Sequence, residues 1–218
     1  MEVNSKVITD LYKTYQQRLF FLAKRMTGNV ETAEEVVQDA FHIIHNKLSD
    51  FRGDSDIYTW MYRITCNLCL KAKSSLNKER IKFADIEIRD FNSQNKFAGK
   101  EELSKLKNNP ELQILYRELI ENVKRECHFV LLGLLTKEQR LVYLMRTHEK
   151  MKFREIGEIL EIGENAAKSR MKRAIVILEN DLRIRCSLCS STNFCNCDDC
   201  AAYIIYKNPE ILNKMREK

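Results

Sequence analysis

The sequence predicts an all-α protein: two helical domains joined by a linker, the second a helix-turn-helix, followed by a short cysteine-rich tail. Three observations carry that prediction. Only 6 Gly and 2 Pro punctuate the 218 residues, too few for the turns that strands and hairpins require. Apolar residues recur at helical spacing along most of the chain. Finally, Lys152 to Ala174 (KFREIGEILEIGENAAKSRMKRA) forms two short helical runs about a tight turn at Glu161 to Asn165. The second run carries Lys168, Arg170, Lys172 and Arg173 on its outer face, and a basic second helix of this kind suits the major groove of DNA.

Each element follows from its own pattern. Val7 to Met26 is amphipathic, with Leu11, Tyr15, Leu19 and Leu22 on one stripe, and Thr27-Gly28-Asn29 ends it. Glu31 to Leu48 buries Ala33, Val36, Val37, Ala40, Phe41 and Ile44 and shows Glu34, Glu35, Gln38, Asp39 and His42 on the other side. A polar loop, Ser49 to Asp56, precedes a third helix from Ile57 to about Ser75. The apolar spacing of Ile57, Trp60, Ile64 and Leu68 marks them as its core stripe, which leaves Tyr58, Tyr62, Arg63, Asn67, Lys71 and Lys73 for its outer surface. Periodicity then fails from Ile81 to Asn109, an Asn- and Lys-rich linker expected to be in part helical.

Asn-Pro-Glu at 109–111 opens a helix to about Leu135, with Asn as cap and Pro at the first helical position. Thr136-Lys137-Glu138-Gln139 is a capping box for the next helix, to about Thr147. The helix-turn-helix continues to about Arg185. Cys186 to Cys200 is a cysteine cluster, and Asn208-Pro209-Glu210 starts a last small helix. The domains are therefore 1–80, a linker 81–110, the helix-turn-helix domain 111–185 and the tail 186–218.

The net charge of +6 fits a nucleic-acid partner, and its placement says more. From Arg63 to Lys82 there are six basic residues against one acid; from Glu164 to Arg185, six against three. From Glu31 to Phe41 there are four acids and no base. That division suggests two polyanion contacts and one protein contact. No apolar run is long enough to span a bilayer and the N-terminus has no hydrophobic signal core, so the expectation is a cytoplasmic protein without a membrane partner.

Two segments carry a family resemblance. AEEVVQDAF (Ala33 to Phe41) is followed by FRGDSDIYTWMYRITCNLCLK (Phe51 to Lys71), and the helix-turn-helix comes after them. In this order they resemble a bacterial RNA polymerase sigma factor of the extracytoplasmic-function type, over about residues 8–75 and 127–182. The resemblance implies a promoter-specificity subunit that is not itself an enzyme, with core RNA polymerase and promoter DNA as partners and an anti-sigma protein as a further one. Glu34, Glu35, Gln38 and Asp39 would dock a basic coiled coil of polymerase. Arg52, Gly53, Asp54 and Ser55 would capture a flipped base of the minus-ten element, while Trp60, Arg63, Asn67 and Lys71 support melting and hold the strand. Extruding a base costs a few kcal/mol of stacking, so it needs a fitted pocket.

Asn165, Lys168, Ser169, Arg170, Lys172 and Arg173 would face the minus-thirty-five element. Asn165 and Lys168, at the start of the helix, are best placed for bases, and the later basic residues for phosphates. The family often has a Gly before the turn and a Thr-Val pair in the recognition helix; here Glu161, Gly163, Ala166 and Ala167 occupy that stretch, with Asn165 as the compensating polar group.

The tail C-S-L-C-S-S-T-N-F-C-N-C-D-D-C places Cys186, Cys189, Cys195, Cys197 and Cys200 within fifteen residues. Thiols so crowded in a polar segment point to a thiolate-binding metal, zinc first, with copper(I) or cadmium as soft alternatives. Some sigma factors of this type carry a similar tail together with a Cys at the head of the helix-turn-helix domain; Cys127, Cys186, Cys195 and Cys197 match that pattern, and Cys189 and Cys200 are extra candidates. The metal would be structural or sensory. Cys66 and Cys69, by contrast, read as core filler. Two other functions compete: a metal-responsive helix-turn-helix regulator that acts without core polymerase, and a thiol oxidoreductase using Cys186-Ser-Leu-Cys189.

Overall fold

In a computed structural model of the chain, residues 2–76, 97–193 and 195–216 are described. All regular elements among them are helical: α1 (Glu2–Thr27), α2 (Val30–Lys47), α3 (Ile57–Lys71), α4 (Phe97–Asn108), α5 (Gln113–Leu131), α6 (Lys137–Thr147), α7 (Phe153–Leu160), α8 (Glu164–Arg185), α9 (Cys197–Lys207) and α10 (Ile211–Arg216). Short 3-10 turns occupy Leu48–Asp50, Pro110–Leu112 and Leu132–Leu134. The one strand-like feature among the described residues is an isolated bridge between Cys186 and Cys195. No helix among these residues is long and apolar enough to cross a membrane.

The helix boundaries are written in local chemistry. Asn29 caps α2 by accepting from the Thr32 amide at 2.7 Å, and Asp56 caps α3 by accepting from the Tyr58 amide at 2.9 Å. Thr136 and Gln139 form the expected capping box on α6. Such side chains satisfy amide groups that the first helical turn leaves open.

The chain divides into two units. The first comprises residues 1–77 and 134–176. Its core joins Leu19, Leu22 and Met26 of α1, Ala33, Val36, Ala40 and Ile44 of α2, Met61 of α3, Leu141, Leu144 and Met145 of α6, Ile156 and Ile159 of α7, and Ala167, Met171 and Ala174 of α8. Complete burial of the leucine, isoleucine, valine and methionine side chains contributes roughly 1.5–3 kcal/mol each.

The second unit comprises 78–133 and 177–218. Its core is Leu103 and Leu106 of α4, Leu115, Leu119 and Val123 of α5, Ala201, Ala202 and Ile205 of α9, and Leu212 of α10. Helices α4 and α9 cross at Gly99, where any Cβ would run into the Ala202 carbonyl. Lys107 pairs with Asp198 at 2.7 Å and the Tyr116 hydroxyl donates to the same carboxylate at 2.7 Å, fixing α9 to α4 and α5.

One expectation is made exact and two change. Residues 97–108 are the helical part of the expected linker; residues 81–96 lie outside the described residues. Helix α5, expected inside the helix-turn-helix domain, shares its core with α4 and the tail helix α9, which the sequence reading did not anticipate. And the buried stripe of α3 is Tyr58, Met61, Tyr62, Thr65, Cys66 and Cys69, whereas Ile57, Trp60, Ile64 and Leu68 are only half-buried. Helix α3 packs on α1 and α2 and also on α6 and α7. Two sets of neighbours turn its tyrosines inward.

Candidate promoter and polymerase surfaces

Four groups of side chains form the candidate site. On α2, the phase that buries Val36, Val37 and Ala40 leaves Glu34, Glu35, Gln38 and Asp39 all exposed. Beside them α1 and α2 enclose a groove of about 900 Å³, lined by Tyr12, Lys13, Gln16, Gln17, Phe20, Glu34, Val37, Gln38 and Phe41. Tyr12 meets Phe41 edge-on at 4.8 Å between ring centroids. An acidic rim over an aromatic floor suits a basic helical partner.

The second group is the loop between α2 and α3. Arg52, Gly53, Asp54 and Ser55 are all exposed, and Gly53 has φ +76°, a conformation that side chains with a Cβ rarely adopt. Phe51 packs on Trp60 at 5.3 Å between centroids, so the half-buried indole is propped from one side. Trp60, Arg63, Asn67 and Lys71 follow at helical spacing on α3; Asn67 and Lys71 are exposed and Arg63 partly so. The Arg63 guanidinium is engaged: Nη2 donates to the Glu158 carbonyl at 2.6 Å and Nε to the Ile159 carbonyl at 3.1 Å.

The third group is the start of α8. Asn165, Lys168, Ser169, Lys172 and Arg173 are exposed and Arg170 is half-buried. Ala167, Met171 and Ala174 anchor the opposite face. Lys168 pairs with Glu164 one turn back at 2.6 Å. The nearby Arg170 helps hold the Glu138 carboxyl below its usual range, after that residue's own amide and the Thr136 hydroxyl. Glu161 takes the left-handed conformation at the end of α7 (φ +55°), the role a glycine would ordinarily fill.

The fourth group lies in the second unit. Cys127 of α5, Cys186, Cys195, and Cys197 and Cys200 of α9 are electrostatic neighbours. Burial pushes the Cys127 thiol up to about 11, helped by Cys195, Cys186 and Cys197 and opposed by Arg185. Cys200 is raised first by its contact with Cys195, Sγ to Sγ 3.7 Å, and then by burial. Burial also raises Cys197. The loop is pinned by Asn193, whose amide donates to the Arg183 and Cys186 carbonyls at 2.9 Å each. Cys189 stands apart and exposed. Among the described residues, no three His, Cys, Asp or Glu side chains are arranged to hold a metal ion as they stand. Cys186 and Cys189 span a turn at the end of α8, not the strand-to-helix setting an oxidoreductase pair needs.

The sequence reading missed several residues that shape this site. Arg140 is 2 % exposed. Its Nη1 donates to the Met26 carbonyl at 2.6 Å and to Ser74 Oγ at 2.9 Å. Its Nη2 donates to the Leu76 and Leu135 carbonyls at 3.4 and 3.3 Å. Burial draws its pKa down to about 10, still charged at neutral pH. Glu149 accepts from Arg18 at 2.7 Å and from the Tyr58 hydroxyl at 3.2 Å. The signal for Arg140 was present: it stands one turn before Leu144, on the apolar face of α6.

Comparison with known proteins now bears on these surfaces. Residues 11–79 match the family described as Sigma-70 region 2, and residues 130–178 the family described as Sigma-70, region 4. The chain is 28 % identical over 182 residues to the ECF RNA polymerase sigma-E factor of Escherichia coli K12, covering 83 % of this chain and 88 % of that protein. It is 27 % identical over 180 residues to the ECF RNA polymerase sigma factor SigW of Bacillus subtilis, covering 80 % and 88 %. Among solved structures, CnrH in complex with the cytosolic domain of CnrY matches with a TM-score of 0.53 at 18 % identity, covering 82 % of this chain and 88 % of that one. The sigma factor RpoE of Bartonella quintana, in complex with the anti-sigma factor NepR, matches with a TM-score of 0.51 at 16 % identity, covering 82 % and 98 %.

Proposed function

Because the chain belongs to the sigma-70 family, as a sigma factor of the extracytoplasmic-function type, we propose that its exposed groups divide the work of promoter reading as follows. As a sigma factor it binds core RNA polymerase and directs transcription initiation at promoter DNA. Glu34, Glu35, Gln38 and Asp39 dock a basic helical element of the polymerase. Arg52, Gly53, Asp54 and Ser55 cradle an extruded base, with Trp60 beside them. Arg63, Asn67 and Lys71 hold the strand. Asn165, Lys168, Ser169, Arg170, Lys172 and Arg173 meet the minus-thirty-five duplex. Bond-making belongs to the polymerase, so this chain is not an enzyme, and it works in the cytoplasm, where that machine lies.

The observation that carries the reading is the α2–α3 arrangement. One helix puts four acidic or amide side chains into solvent, and the next loop leaves Arg52, Gly53, Asp54 and Ser55 open beside a propped indole. A free-standing helix-turn-helix regulator needs neither. The test is a pull-down of core polymerase with the full chain at micromolar concentration, compared with the Glu35→Lys/Asp39→Lys variant. A stable complex that the variant loses supports the assignment; no complex with the wild-type chain overturns it.

Two further partners are proposed. An anti-sigma protein is one, since both fold neighbours are described in complex with a second protein and NepR is named as an anti-sigma factor. The other is a thiophilic metal, zinc before copper(I) or cadmium, held by Cys127, Cys186, Cys195 and Cys197 with Cys200 alongside. The support is electrostatic: neighbouring thiols that raise one another's pKa repel when ionised, and a cation removes that repulsion. The side chains must draw together to take it up.

A further inference from the structure

The start of α9 brings two thiols of the tail into sulfur–sulfur contact. Asn196 caps this helix by accepting from the Asp199 amide at 2.7 Å. Cys195 is therefore the residue just before the cap, and Cys200 the fourth residue of the helix. Apolar side chains at those two positions often pack on one another and fix the angle at which the chain enters a helix. Here both side chains are thiols, and Cys195 Sγ lies 3.7 Å from Cys200 Sγ. The backbone is pinned on each side. The Cys195 amide donates to the Arg185 carbonyl at 3.1 Å, and the Cys195 carbonyl accepts from the Ser187 amide at 2.9 Å. The Cys200 amide donates to the Asn196 carbonyl at 3.1 Å. Both cysteines are half-buried, so a small molecule can reach the pair.

We propose that Cys195 and Cys200 are a thiol-oxidation site, which a small hydroperoxide converts to a disulfide across the first turn of α9. The inference stands whether or not the tail takes up a metal. A disulfide needs its sulfurs about 2 Å apart. With both backbones held, side-chain rotation closes the gap and the helix stays in place. The chemistry runs in two steps. One thiol gives up its proton and its sulfur attacks a peroxide oxygen. The O–O bond breaks, the sulfur keeps the O–H as a sulfenic acid, and the other oxygen leaves with the thiol's proton as an alcohol or water. The second thiol then attacks that sulfur. The S–S bond forms, the S–O bond breaks, and the hydroxyl leaves as water with the second thiol's proton. Two electrons pass from the two thiols to one hydroperoxide. The bond fixes the turn that carries Ala201 and Ala202 into the core shared with α4 and α5. It also takes two sulfurs from the set proposed for the metal, so oxidation and metal uptake compete for the same residues.

The experiment uses the full chain, reduced and stripped of metal by a chelator. Stoichiometric hydrogen peroxide is added, free thiols are blocked with N-ethylmaleimide, and the protein is cleaved before aspartate. Cleavage at Asp198 and Asp199 parts Cys195 from Cys200. The expected product is a pair of fragments joined by a reducible bond, lighter by two hydrogens than the two reduced fragments together. Tandem mass spectrometry should place that bond on Cys195 and Cys200. Cys195→Ser and Cys200→Ser should each abolish it, and the variant that keeps the attacking sulfur should accumulate a sulfenic acid that dimedone traps. Amide exchange in the first turn of α9 should slow about threefold or more in the oxidised wild-type chain and recover with a reductant. Cys200 joined to Cys127, Cys186 or Cys197 instead, thiols that pass to sulfinic acid with no bond formed, or a bond that leaves exchange in α9 unchanged overturns the proposal.

Discussion

Arg140→Met is the sharpest test of how the first unit is held together. Methionine keeps most of the buried stem but loses the guanidinium's hydrogen bonds to the Met26, Leu76 and Leu135 carbonyls and to Ser74 Oγ. Three of the acceptors belong to the ends of α1 and α3 and the residues just after them: the Met26 carbonyl, Ser74 Oγ and the Leu76 carbonyl. A buried acceptor stripped of its partner costs about 1–3 kcal/mol. The costs do not sum. Ser74 Oγ still donates to the Met26 carbonyl at 3.0 Å, so that pair is not wholly orphaned. Removing a buried cation also returns part of its desolvation penalty, which is the reason its pKa is depressed. The balance is a loss of about 2–4 kcal/mol, most of one partner's removal from a buried charged cluster. The assay is urea unfolding followed by fluorescence of Trp60, the one tryptophan of the chain, which sits in the first unit. Arg140→Lys, which keeps the charge and some donors, should lose less. An Arg140→Met protein with an unchanged midpoint would refute the claim that this guanidinium joins the two sequence-distant parts of the unit.

The other expectations concern the surfaces. Asp54→Ala should abolish permanganate-detectable strand opening while the chain still co-purifies with core polymerase; loss of both would mean the loop has been given the wrong role. Glu35→Lys with Asp39→Lys should weaken polymerase affinity at least tenfold in a fluorescence titration, and more at low salt than at high. Lys172→Ala should lower affinity for duplex minus-thirty-five DNA about equally across sequences and flatten the slope of log K against log salt by about 1. For the tail, zinc affinity measured by competition with a chromophoric chelator should rise with pH across the neutral range. The Cys127, Cys197 and Cys200 thiols have raised pKa values and are protonated there, so each ligating thiol must release a proton. The increase is up to about tenfold per pH unit for each such thiol; flat affinity would remove these cysteines from the ligand set.

Much of this was legible in the sequence because the chain announces its helix starts locally. Asn29, Asp56, Asn109 and Thr136 each accept from an amide in the first turn that follows. The exposed acids of α2 followed from a single clean period, with one buried face and one wet one. The α3 stripe misled for the opposite reason: a helix packed on two sides buries two arcs, and Tyr58 and Tyr62, polar at the tip, look like surface residues until a second neighbour covers them. Residues 97–108 lacked an apolar rhythm strong enough to bound a helix: among its described side chains Leu103 and Leu106 reach the core, and the fit with α9 depends on Gly99, a residue that reads as a breaker. The polar joints Arg140, Glu149 and Lys137 reach partners 64–131 positions away, a separation that no local pattern encodes. In the tail the cysteine spacing flagged a cluster, but the start of α9 at Cys197 depends on the Asn196 cap inside it.

The central claim is that this one chain supplies promoter recognition and strand opening to a polymerase that lacks both. Run-off transcription from the promoter region upstream of its own gene, using purified core polymerase with and without the full chain, tests it most directly. A defined transcript that requires the chain, and that vanishes with Asp54→Ala, is the predicted result; core polymerase that makes the same products whether or not the chain is present would contradict it.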